Sequence, residues 1–115
     1  MSASQAPALS AVAFQLAAAL DAYEQDVAML VRTPADLDVY HRVSERMDRM
    51  RLYAVSLPPV AVAWVELMIR HFELTHGLWR WQQDHAAADL HQLHAQLREA
   101  IRGLNRRCVY LMPSA

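Results

Sequence analysis

Six histidines are the side chains best suited to bind a metal in this 115-residue chain. Ligands must converge, so spacing decides whether they could. His41 and Glu45 stand four residues apart, Glu73 and His76 three apart, and His91 and His94 three apart. Each pair could share one face of a helix. A di-iron bundle takes inward glutamates and Glu-x-x-His pairs from facing helices. Only Glu73-x-x-His76 has that form, and Glu73 falls in a charged row that reads as solvent-facing. His91 points away from the leucine row of its own segment. The spacings therefore predict no metal site and no cofactor.

His71, Thr75 and Gln82 form a polar thread through an apolar stretch, beside Trp64 and Trp79. Such a thread has two readings. Each polar group can find a partner across a helical bundle, which fixes packing. Alternatively, Trp64, His71, Thr75, Trp79 and Gln82 are ligand-binding residues of a tryptophan-walled pocket between helices. The first reading is the commoner use of buried polar groups. Cys108 falls on an apolar row and reads as a small core residue, with no cation forced to its side to activate it. A glycine-rich phosphate loop, a Cys-x-x-Cys pair and a nucleophile–base–acid set with recognisable spacing are all missing from the sequence, so no catalytic residue is assigned.

Arg80-x-x-x-x-His85 resembles the short Arg–His motif of HEPN-type helical ribonucleases. The resemblance covers six residues. It implies phosphate binding by Arg80 and acid–base chemistry by His85. Arg98, Arg102 and Arg106 make a basic end to the last helical segment and are candidate contacts to an acidic partner. They also complement a helix C-terminus without any partner. No aromatic residues interleave with them as a base-stacking platform would require. The net charge of −1 likewise gives no strong nucleic-acid signal.

The elements that must position these residues read as helices. Glycine is scarce (two residues) and alanine, leucine and arginine are abundant. Leu9, Leu16, Tyr23 and Leu30 recur every seventh residue, with Ala13, Leu20 and Val27 as companions, over a first helix at 9–32. Thr33-Pro34 suits a helix start, and Tyr40, Val43, Met47, Met50, Ala54 and Leu57 mark a second helix at 34–56. Pro58-Pro59 breaks the chain. The third segment, 59–83, holds all three tryptophans. Its charged residues, with one glycine, trace a single line through Glu66, Arg70, Glu73, Gly77, Arg80 and Asp84. A helix with so narrow a polar side should be covered on most of its girth. A turn near Asp84–Ala87 leads to a fourth helix at 87–111; the alternative is one unbroken rod from Pro59 to about Val109, which would need an intertwined dimer.

The expected fold is all-α: an antiparallel bundle of about four helices with short connections, preceded by a flexible leader at residues 1–8, with 9–115 as one domain. The third helix should pack against the other three. Every one of the 11 basic residues is arginine, a bias that runs through the whole chain and fits a GC-rich bacterial genome better than local selection. A single cysteine suits a reducing, cytoplasmic setting, and the apolar run at Ala11–Leu20 is too short to span a bilayer. Missing chemistry and surplus apolar helix face together predict a non-enzymatic adaptor, chaperone or regulator that works through helix–helix contact, most naturally as a homodimer. A metal- or ligand-binding bundle and a HEPN-like ribonuclease are the alternatives.

Overall fold

The computed structural model describes residues 5–112, with side chains from residue 8 onward. Four helices make up the fold: α1 (Gln5–Arg32), α2 (Leu37–Ala54), α3 (Ala61–Gln83) and α4 (Leu90–Tyr110). A single 3₁₀ turn, Pro58–Val60, leads into α3. There is no strand among the described residues, and the fold is the expected all-α bundle. It measures 54 × 23 × 23 Å. No described helix is long and apolar enough to cross a membrane.

Each helix exists because one apolar row of three- and four-residue steps faces the bundle axis. On α1 the row is Ala13, Leu16, Leu20, Tyr23, Val27 and Leu30, all essentially without solvent contact. On α2 it is Val39, Val43, Met47, Met50 and Ala54. On α3 it is Trp64, Leu67, His71, Leu74 and Leu78, and on α4 Leu97, Ile101, Leu104 and Cys108. Leu57 and Val60, in the α2–α3 connection, close one end of this core.

The boundaries differ from the sequence expectations where capping decided them. Helix α2 does not start at Thr33-Pro34. Asp36 caps it instead, with Oδ1 accepting from the amides of Asp38 at 3.0 Å and Val39 at 3.3 Å. Aspartate is a better N-cap than threonine, and an acidic residue suits the positive end of a helix. Thr33 serves the preceding helix, its hydroxyl donating to the Met29 carbonyl at 2.8 Å. Asp36→Ala is expected to destabilise the fold by about 1 kcal/mol, read by urea denaturation; an unchanged midpoint would contradict this role for the cap.

The turn at Asp84–Ala87 is present, so the unbroken rod is not formed. Asp84 is extended (φ −155°, ψ 115°), its carbonyl accepts from the Ala87 amide at 2.9 Å, and its carboxylate takes the Ala86 amide at 3.0 Å. Asp89 then caps α4 through the Gln92 amide. Helix α1 is already formed at Gln5, four residues before its expected start; the rest of the expected leader, residues 1–4, lies outside the described residues, as does Pro113.

The helices do not surround α3 as expected. Helix α1 packs along both α2 and α4, and α3 packs along α4 far more closely than along α1 or α2. The physical reason lies in α3 itself. It carries two apolar rows about a third of a turn or more apart, and a four-helix core can bury only one of them.

Candidate functional site

The polar thread is anchored in the core. Tyr23 on α1 and His71 on α3 join across the bundle, with Tyr23 Oη 2.7 Å from His71 Nδ1 and both residues buried. Burial raises the Tyr23 phenol above its ordinary range. It also pushes the His71 imidazole down to about 4, with the Arg51 charge adding to the shift and Asp48 opposing it. At neutral pH both groups are uncharged, and the imidazole tautomer sets which of the two donates. This is a satisfied buried hydrogen bond.

The five candidate ligand residues do not share one pocket. Trp64 and His71 belong to the core. Thr75, Trp79 and Gln82 line a shallow cleft of about 190 Å³ with Pro34, Leu37 and Tyr40. Gln82 Nε2 donates to the Pro34 carbonyl at 3.1 Å, tying the end of α3 to the α1–α2 connection. Thr75 bonds back to the Phe72 carbonyl in its own helix.

The basic end of α4 is partly balanced within the chain. Arg98 and Arg102 line a groove with Asp21 and Glu24 of α1, and Arg102 lies 3.5 Å from Glu99; Arg106 is exposed. Arg80 donates to the Ala87 carbonyl and so braces the α3–α4 turn. The His85 ring stacks on Trp81, centroids 3.9 Å apart and planes 6° from parallel. His94 Nε2 is the one buried side-chain nitrogen or oxygen without a partner among the described residues, and burial lowers that imidazole's pKa, with Arg98 adding to the effect. Burial pushes the Cys108 thiol up to about 11, which keeps it protonated. Among the described residues no three or more His, Cys, Asp or Glu side chains are grouped so as to hold a metal.

The most unusual surface is the second apolar row of α3. Val62, Val65, Ile69, Phe72 and Trp79 are 85%, 48%, 46%, 57% and 59% exposed, and His76, in the same row, is exposed too. The steps are three, four, three, four and three, the repeat that makes a helix–helix seam. His76 stacks on Trp79 within it. The expectation that α3 is covered on most of its girth is therefore corrected. The solvent-facing side includes this apolar row as well as Glu66, Glu73 and Arg80.

The charged line itself breaks at Gly77, which is buried against α4; a Cβ there would lie 2.3 Å from Leu93 Cδ1. Glycine at that point lets α4 come close. Arg70 pairs with Glu66 at 3.0 Å and Glu73 at 3.2 Å along the edge of the exposed row. Counting charged residues found a polar line but not the apolar row beside it. The available signal was the presence of two parallel heptad rows on one helix, 64/67/71/74/78 and 62/65/69/72/76/79.

No protein-family model, curated protein or solved structure matches this chain.

Proposed function

We propose that this protein is a small non-enzymatic interaction protein that docks a helix of another polypeptide along the outward row of α3. The observation that carries the reading is the exposure of Val62, Val65, Ile69, Phe72 and Trp79 in heptad spacing on a bundle whose core is already complete. Contiguous apolar surface of several hundred Å² on a soluble fold marks an interaction site, and an i, i+3, i+7 ladder is the signature of helix recognition. Burying Phe72 and Trp79 would supply roughly 2–3 kcal/mol each. An adaptor or regulator in the reducing cytoplasm of a bacterium suits the buried unpaired Cys108 and the arginine-only, alanine-rich composition.

The test is a Phe72→Glu, Trp79→Glu double variant. Both positions are solvent-exposed, so its unfolding free energy should stay within about 0.5 kcal/mol of wild type. Chemical cross-linking in the native cells should capture a defined partner with wild type and lose it with the variant. Identical capture by both chains would overturn the proposal.

A further inference from the structure

We infer that the outward row of α3 docks against the same row of a second copy of this chain, running antiparallel. The inference rests on the docking reading above and adds the occupant and its direction.

The row is graded in size. Its N-terminal half carries Val62 and Val65, and its C-terminal half Phe72, His76 and Trp79. A parallel pair would stack Trp79 on the partner's Trp79 at one end and leave Val62 facing the partner's Val62 at the other. The helices would splay. Reversing one helix removes the mismatch. In an antiparallel seam the first and fourth heptad positions face each other. Val62 then meets the partner's Trp79, Val65 meets the partner's His76, and Ile69 meets the partner's Phe72. Each small residue faces a large one, and every member of the row is used, three layers on each side of a two-fold axis level with Arg70 and His71. Self-complementarity of this kind is what an isologous interface demands.

The size of the contact is adequate. Val62 to Trp79 spans about 26 Å at 1.5 Å per residue, and the row exposes side-chain surface on the order of 500 Å² per chain. A stable pair buries about 800 Å² per partner. Leu37 and Tyr40 of α2, exposed and sharing a cleft with Trp79, extend the apolar surface at that end. The flanks set a salt dependence. Glu66 comes beside the partner's Glu73, and Arg70 of each chain, already holding its own two glutamates, offsets that repulsion only in part. Added salt screens like charges, so pairing should tighten with ionic strength.

Two measurements on the purified full chain test the inference. Light scattering across a dilution series should show a dimer that dissociates on dilution, tightens in salt, and is a monomer in Phe72→Glu. Separately, Val65→Cys and His76→Cys chains are mixed under mild oxidation, with wild type, whose single thiol is buried, as the control; circular dichroism confirms that both variants are folded. The antiparallel pair yields a mixed disulfide between the two variants and little of either homodisulfide. Val65 and His76 are about 16 Å apart along the helix, so a parallel pair gives the reverse. Homodisulfides in place of the mixed product overturn the direction. A purified chain that is a monomer at the highest concentration reached overturns the second copy. If its cellular partner is still lost in the glutamate variant, the docking face stands without it.

Discussion

Tyr23→Ala is expected to cost about 4 kcal/mol of folding stability, the largest effect of any single substitution argued from this structure. Two losses combine. Tyr23 is among the largest side chains with no solvent exposure, and truncating a buried aromatic to alanine costs about 3–5 kcal/mol through lost transfer energy and the cavity left behind. The change also strands His71, whose Nδ1 sits 2.7 Å from the phenol. Tyr23→Phe separates the two. It keeps the ring and removes the hydroxyl, and should cost about 1–2 kcal/mol for the unpaired nitrogen. Replacing His71 by leucine in the Tyr23→Phe background should recover part of that loss, because an apolar pair in place of a satisfied polar pair is close to neutral. Urea denaturation of wild type, Tyr23→Phe, His71→Leu and the double variant gives the coupling. Strict additivity would mean that the hydrogen bond holds nothing.

Acidification should remove about 3 kcal/mol of stability through His71 alone. Its pKa is lowered from the ordinary 6.5 to about 4 in the fold, by burial first and by Arg51 second, against the opposing charge of Asp48. The unfolded chain takes up this proton near 6.5 and the folded chain resists it until about 4. Stability is therefore complete above 6.5, falls as the pH drops from 6.5 to about 4, and levels off below that. About 2.5 kcal/mol of the loss should be present at pH 4.5. His94, with its own lowered pKa, acts in the same direction. Denaturation midpoints of wild type and His71→Leu at pH 7.5 and 4.5 test this. The wild type should lose clearly more on going to pH 4.5, and equal losses would remove His71 from the account.

Much of the architecture was legible in the residues. The fully buried row of α1 follows from its seven-residue repeat, since only one stripe of that helix is apolar and large. The break at Pro58-Pro59 and the turn at Asp84 follow from backbone restriction and from loss of the apolar period. Helix α3 was not legible to the same degree. Its outer face is as apolar as its inner one, so periodicity gives two answers, and only the placement of α4 against Gly77 chooses between them. Burial of His71 could be inferred from its position among apolar neighbours. Its partner could not, because Tyr23 lies 48 residues away on a helix not adjacent in sequence. The start of α2 was misplaced by three residues because Asp36, the better N-cap, takes the free amides, while the Thr33 hydroxyl is held by the Met29 carbonyl of α1.

The order in which the helices pack has a consequence for how the chain is made. α1 and α4, the first and last of the four, pack closely on each other, while α2 packs chiefly along α1 and α3 chiefly along α4. As the chain emerges from the ribosome, α1 and α2 can close on each other at once. α3 then appears with only part of its final packing available, the Tyr23 side of α1, until residues 90–110 have been synthesised and α4 folds back alongside both helices. Between the appearance of Gln83 and that of Tyr110, the inner row of α3 therefore lacks the helix along which it packs most closely.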